Sequence, residues 1–230
     1  MSEHLGKSNG ISATGQIHQM PLTRVELVVM SIVEDRLAVL LGKRAGTPHK
    51  GKWALPGGVV RIDLDKDLEA AAQRVSGERL GVRLPYLRQL LAVGSKVRDS
   101  RAPWALSIVY RALIPVEAID PQAGKRLEAL KWCPIDEAMA DTKLAFDHAD
   151  LIRCAAEATR AEIECLDLPF GYLSDAFTLG ELQTCCEALL GRRLDKSSFR
   201  RRLDERELLE PVPGEMRTGA FRPAQLYRKR

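Results

Sequence analysis

The chain has 230 residues, 45% of them hydrophobic, and a formal net charge of +4. That composition supports a packed core and excludes global disorder, while so mild a charge does not by itself argue for a polyanionic partner. Met1–Met20 lacks the apolar stretch of a signal peptide, and Val25–Val33 falls far short of the roughly 20 residues that span a bilayer, so no membrane partner and a cytoplasmic location are expected. Cys133, Cys154, Cys165, Cys185 and Cys186 form no C-x-x-C pair. They read as thiols in a reducing compartment rather than as a zinc site.

In chain order, residues 1–21 read as a flexible polar arm. Val25–Ile32 and Leu37–Leu41 alternate with a Glu34-Asp35 turn, which predicts a hairpin. A loop with Gly46, Pro48 and Gly51 leads to Trp53–Val60, a short strand broken by Pro56, Gly57 and Gly58. After an acidic loop, Leu68, Ala71, Ala72 and Val75 recur at helical spacing, and Gly81 ends that helix. Tyr86–Val93 and Leu106–Leu113 read as strands, with a charged, mobile segment from Gly94 to Pro103 between them. Leu130–Pro134 is a last short strand. Phe146–Cys165 carries a long helical pattern. Pro169-Phe-Gly171 punctuates the chain, dividing it into residues 22–168 and 169–230.

The second part has its own order. Thr178-Leu-Gly-Glu181 has capping-box spacing ahead of a stripe formed by Leu179, Leu182, Cys186 and Leu189. Gly191 ends this helix, and Asp195 caps a second, Lys196–Leu203, packed through Phe199 and Leu203. Lys196, Ser197, Ser198, Arg200 and Arg201 lie on or beside its free face, where arginine reads guanine and serine reaches phosphate or a base edge. Arg217, Thr218 and Arg222 fall at the tip of a Gly-containing hairpin. From Arg192 to Arg230 there are 12 basic and 6 acidic residues. That local surplus of six exceeds the net charge of the whole chain. A solvated helical cap is the bland alternative, but the sequence of cap, helix, turn, Arg-bearing helix and basic hairpin favours a winged helix on double-stranded DNA.

In the first part, Gly57-Gly58 followed by Arg74-Val-Ser-Gly-Glu78-Arg79-Leu-Gly81-Val82 resembles a Nudix box, R-E-U-x-E-E-x-G-U with U aliphatic. Glutamates at this spacing share one helix face and hold magnesium against a diphosphate. Here Arg74, Glu78, Gly81 and Val82 are kept, Val75 and Arg79 replace metal-binding glutamates, and Ser76 takes the aliphatic position. The loop is two residues longer than standard, which puts Lys66 on or near the first acid. No metal site and little or no hydrolase activity are therefore expected. Arg74 and Glu78 read as an i, i+4 pair, with Arg79 also drawn to Glu78.

A degenerate box joined to a winged helix resembles the Nudix-related transcriptional regulators of bacterial NAD metabolism, as do Lys52–Gly58, Ala145–Asp150 and Arg222–Arg228. The resemblance implies an α+β chain: a Nudix-type α/β/α sandwich with a mixed sheet, then a winged helix-turn-helix. It also implies a homodimeric repressor of NAD synthesis or salvage genes on a palindromic operator, released by ADP-ribose, with no cofactor required. The alternative is an active Nudix pyrophosphatase on ADP-ribose or a nucleotide sugar.

For such a ligand, Trp53 reads as a stacking surface or as a core tryptophan beside Pro56. Arg44 and Lys52 read as phosphate contacts or solvated surface. Gly57 and Gly58 permit close backbone approach. Phe146, Asp147 and His148 open a helix whose N-terminus suits an anion, although Asp147 also reads as a plain N-cap and His148 as a structural histidine.

Overall fold

The computed structural model describes residues 9–11, 17–218 and 223–230. A short hairpin, β1 (Asn9–Ile11) with β2 (Ile17–Gln19), precedes the body. β3 (Leu22–Val33) and β4 (Arg36–Arg44) form the expected hairpin. Its two turn residues, Glu34 and Asp35, both take positive φ, 49° and 59°, which suits the right-handed twist of the paired strands.

The strand expected over Trp53–Val60 is two, β5 (Trp53–Ala54) on β4 and β6 (Gly57–Val59) on β3. Pro56 has no N–H for a ladder and falls at the break. α1 (Leu68–Leu80) follows, capped by Asp67, which accepts from the Ala70 N–H, and ended by Gly81 at φ 69°. Next come β7 (Arg88–Ser95), β8 (Ala105–Leu113), β9 (Leu127–Pro134), α2 (Ile135–Ala140) and α3 (His148–Glu164).

The sheet is mixed. β3 runs parallel to β8 and antiparallel to β4 and β6, in the order β5-β4-β3-β8-β7, with β9 on β4. Alternation along β3 sends Val25, Leu27 and Val29 into the core with Ala71, Ala72 and Val75 of α1. It sends Val28 and Met30 to the other face, into the core with Leu151, Ile152 and Ala155 of α3. The result is the expected α/β/α sandwich.

Two expectations change. The segment around Gly94–Pro103 is tied down by its own charges. Asp99 is buried and accepts from the Arg101 backbone and guanidinium, while Arg98 reaches Asp147 and Ser107. The long helix begins at His148 instead of Phe146, because Phe146 sits at φ 57°, outside the right-handed helical region.

The C-terminal part comprises β10 (Phe177–Thr178), α4 (Leu179–Leu190), α5 (Lys196–Glu205), β11 (Leu209–Arg217) and β12 (Ala224–Lys229). Its three strands form an antiparallel sheet in the order β10-β12-β11. Leu182, Cys185, Cys186, Leu189, Phe199 and Leu203 join the same buried cluster as Val28, Val39 and Ile152. One core thus runs from the α3 face of the large sheet into the winged helix. No helix is long and apolar enough to cross a membrane among the described residues.

Candidate functional site

The box helix α1 carries no metal constellation. Val75 is fully buried, and a Cβ at Gly58 would stand 2.8 Å from its Cγ2. Apolar packing therefore fills the place where the family pattern has a glutamate. Arg74 takes Asp65 as its main partner, at 2.7 and 2.8 Å, and donates to the Val59 carbonyl; Glu78 is farther away at 3.5 Å. The expected Arg74–Glu78 pair forms, and Asp65 is a further and nearer partner that the box spacing did not indicate. The Arg74 guanidinium is also what holds the Asp65 carboxyl below the ordinary carboxylate range, against a smaller effect of burial. Among the described residues, no three His, Cys, Asp or Glu gather in a metal-ligating group. The residues present do not fit a magnesium ion.

Arg79 does not mainly pair with Glu78, which stands 3.9 Å away. Its Nε donates to the Gly57 carbonyl at 2.8 Å and its Nη1 to the Lys125 carbonyl at 2.9 Å. These two bonds aim the guanidinium at a cleft that opens where β4 and β6 both lie against β3. Arg24, Arg44, Arg79, Arg101 and Arg126 line it, with Gly57 and Gly58 as part of its wall.

Each arginine arrives on a different element. Arg24 is on β3 and bonds Glu26 at 2.8 Å. Arg44 ends β4, where its Nε donates to the Pro48 carbonyl and its guanidinium lies 5.0 Å from the Phe146 ring centroid. Arg101 comes from the tied loop, paired with Asp99. Arg126 precedes β9 and is exposed. Burial, then repulsion from Arg24 and Arg101, pushes Arg44 below its ordinary value. Burial does the same to Arg79, opposed by Glu78 and reinforced by Arg126 and Arg24.

Behind the cleft lies a buried polar layer. His148 accepts from the Leu55 N–H on Nδ1 at 2.9 Å, which leaves the proton on Nε2. Burial, then the positive charges of Arg24, Arg98 and Arg44, hold its imidazole well below its ordinary value, so it is neutral. Its Nε2 faces Oε2 of Glu26 at 3.9 Å, and neither atom has a partner among the described residues. Gly57 is required here, because a Cβ would fall 1.7 Å from that oxygen.

Of the ligand candidates, Arg44, Gly57 and Gly58 line the cleft, and Phe146 lies against the Arg44 guanidinium without lining it. Asp147 and His148 lie behind it, the carboxylate of Asp147 taken by Arg98 and the ring of His148 by Leu55. The Asp147 side chain makes no cap hydrogen bond to α3, whose His148 and Asp150 N–H groups donate instead to the Ala145 and Asp147 carbonyls. Trp53 stands apart, half-buried, with the Lys131 ammonium 4.5 Å from its ring centroid, and Lys52 is exposed. Arg24, Glu26, Arg101 and Arg126 were not among the candidates. The one usable signal was Arg24 and Glu26, charges in a strand otherwise apolar enough to be buried, and such charges need a specific reason to be there.

The winged helix presents a second surface. The capping box is complete: Thr178 Oγ1 accepts from the Glu181 N–H and Glu181 accepts from the Thr178 N–H. On α5, Lys196, Ser197, Arg200 and Arg201 are exposed, opposite buried Phe199 and Leu203. Ser198 is half-buried, and its N–H caps onto Asp195. Arg201 makes only a 3.6 Å pair with Glu205, both largely exposed. Arg217 is half-buried and tied to Glu181 at 3.3 Å, which fastens the wing to the start of α4. Thr218 is exposed at the end of β11, and Arg222 lies outside the described residues.

Residues 23–154 match the NUDIX domain, and residues 169–228 match the NrtR DNA-binding winged helix domain. The chain is 37% identical over 208 residues, 90% of its length and 82% of the relative's, to the ADPR responsive transcriptional repressor NtrR of Acinetobacter baylyi. It is similar to Shewanella oneidensis NrtR complexed with a 27mer DNA, at 35% identity and TM-score 0.73, covering 91% of this chain and 94% of that one. Its first part is similar to the NUDIX domain of Shewanella oneidensis NrtR complexed with ADP ribose, at 33% identity and TM-score 0.57, covering 61% and 90%. The chain belongs to the NrtR family, a NUDIX domain followed by the NrtR DNA-binding winged helix domain.

Proposed function

We propose that the chain is a transcriptional repressor of NAD synthesis or salvage genes that binds palindromic operator DNA as a homodimer and lets go when ADP-ribose, or a closely related nucleotide, enters the NUDIX domain. Residues 22–168 sense the ligand and residues 169–230 bind DNA; the expected arm over 1–21 falls largely outside the described residues. The observation that carries this is the union, in one chain, of a box helix whose metal positions hold Val75 and Arg79 with an α5 face of Lys196, Ser197, Arg200 and Arg201 turned to solvent. The first feature removes hydrolysis, and the second supplies phosphate and base contacts. The relatives' own ligands, DNA and ADP ribose, support both halves.

A pyrophosphatase would need a hard-cation site, and Glu78 alone, shared with Arg74, does not supply one. The test is a gel shift on the chain's own upstream DNA with and without ADP-ribose, paired with a magnesium-supplemented assay for AMP release. DNA binding that ADP-ribose weakens, with no AMP above background, is expected. Ordinary turnover of ADP-ribose with no DNA binding would replace this function with the enzyme.

A further inference from the structure

A second cavity, of about 730 Å³, lies where the α3 face of the large sheet, the linker and β12 meet. That volume is within the roughly 300–1,000 Å³ of small-molecule sites. No residue of the arginine cleft lines it. Leu113, Ile163, Leu168 and Phe177 form its apolar side, and the last three are buried in the core that both parts share. Phe170 of the linker is half-buried and lies on Phe177, with ring centroids 5.9 Å apart and planes 29° apart. Such a pair, open on one side, is a platform for a further flat ring.

The polar side is built around a buried arginine. Arg88 and Arg111 stand directly opposite each other on β7 and β8, an arrangement that costs stability unless the charges are met. Glu162 and Asp167 meet them. Arg88 lies 3.5 Å from Glu162 and 3.6 Å from Asp167, while Arg111 donates to Glu162 and, at 2.7 Å, to Thr159. Arg228 is paired with Glu210. Lys229 falls opposite Asp175 when the Phe177–Tyr227 register is continued by two residues. The wall is therefore close to neutral and draws neither an anion nor a cation strongly. Its hydrogen-bonding capacity is not used up, however. Among the described residues, Arg111 Nε donates to no protein group and Glu162 Oε2 accepts from none. The Arg111 side chain is only 9% exposed, which fixes that donor in place.

An aromatic platform beside a fixed donor and a fixed acceptor matches an uncharged heterocycle, with apolar faces and an edge that both accepts and donates. Nucleobases have this character, stacking on aromatic side chains and pairing along their edges. We propose that this cavity is a second small-molecule site, for a free nucleobase or nucleoside without phosphate, its base stacked on Phe170 and its edge read by Arg111 and Glu162. Because the lining comes from both parts of the chain, one ligand here touches the NUDIX sheet and β12 together. The site is separate from the arginine cleft and does not depend on what that cleft holds.

The test is calorimetric titration of the full chain with adenosine, for the wild type, Phe170→Ala, Ser174→Trp and Arg79→Gln. Ser174 is an exposed lining residue, so a tryptophan there blocks the cavity without entering the core and keeps the test valid should Phe170→Ala unfold. Saturable binding by the wild type is expected, with a loss of about tenfold or more in Phe170→Ala and in Ser174→Trp, and a change of less than about twofold in Arg79→Gln. Adenosine monophosphate, titrated into Arg79→Gln, should bind within about threefold of adenosine, because the wall offers a phosphate no unanswered charge. Affinity lost in Arg79→Gln and kept in Ser174→Trp would place adenosine in the arginine cleft and overturn the proposal. No saturable binding of adenosine or adenine at millimolar concentration would overturn it as well. Adenosine monophosphate binding tenfold more tightly than adenosine would make this an anion site and overturn the uncharged class.

Discussion

Val75 and His148 set the terms of the sensing domain at the scale of single residues. Val75 fills the space beneath Gly58 with methyl groups, so restoring the family's glutamate would bury a carboxylate in an apolar core. Val75→Glu should lower unfolding stability by about 3 kcal/mol in urea titration and produce no magnesium-dependent release of AMP; unchanged stability together with new turnover would contradict this. His148 is neutral in the fold, while in the unfolded chain it takes up a proton below about pH 6.5. Its folded value is depressed, so stability falls as pH drops from 7 towards 5, by at most about 1.4 kcal/mol per pH unit. His148→Gln should flatten that slope, and parallel pH profiles for the two proteins would show that His148 is not responsible. Val75 and Arg79 were visible in the sequence because a spaced motif names each position. Arg24 left only the trace of a charge in a buried strand, and Arg101 and Arg126 left none, because they converge from loops whose placement no local pattern encodes. Trp53 and Lys52 were nominated by proximity to the glycines in sequence, but the break at Pro56 sends them elsewhere.

Elements were the most legible level. Apolar runs located β3 and β4, which are buried on both faces, and helical spacing located α1, α4 and α5. The Thr178–Glu181 spacing was sufficient to place the start of α4, because both halves of the box form. Thr178→Ala should cost about 1 kcal/mol of stability, read as a lowered urea midpoint. No loss would mean that the cap is replaced by water at no expense. The loop around Gly94–Pro103 was misjudged because its charges pair with each other and with Asp147, and composition alone does not distinguish paired charges from solvated ones.

β3 is an element that touches both the cleft and the linker. Its first residues, Arg24 and Glu26, stand at the cleft and behind it. Its last, Ser31 and Ile32, meet the Tyr172 hydroxyl of the linker, which accepts from the Ile32 N–H at 2.9 Å. Tyr172→Phe should leave ADP-ribose affinity within about twofold while shrinking the ligand's effect on DNA affinity, since coupling needs an element that both sites bias. An unaltered effect on DNA affinity would remove the linker hydroxyl from the pathway.

For the whole molecule, the winged helix is not a freely tethered reader. Its α4 and α5 residues share one buried cluster with the large sheet, and Glu164 at the end of α3 receives Arg192 and Arg202. A change at the cleft can therefore reach α5 through packed core as well as through the linker. This continuity was hidden in the sequence, where Pro169-Phe-Gly171 reads as a clean break, because punctuation of the chain says nothing about which apolar faces later meet. The account as a whole turns on whether occupancy of the NUDIX domain governs DNA affinity. The most direct measurement is the anisotropy of labelled upstream DNA titrated with the full chain across a salt series, with and without ADP-ribose. Affinity that falls steeply with salt, and falls further by at least tenfold when ADP-ribose is added, is the predicted result. DNA affinity identical with and without saturating ADP-ribose would contradict it.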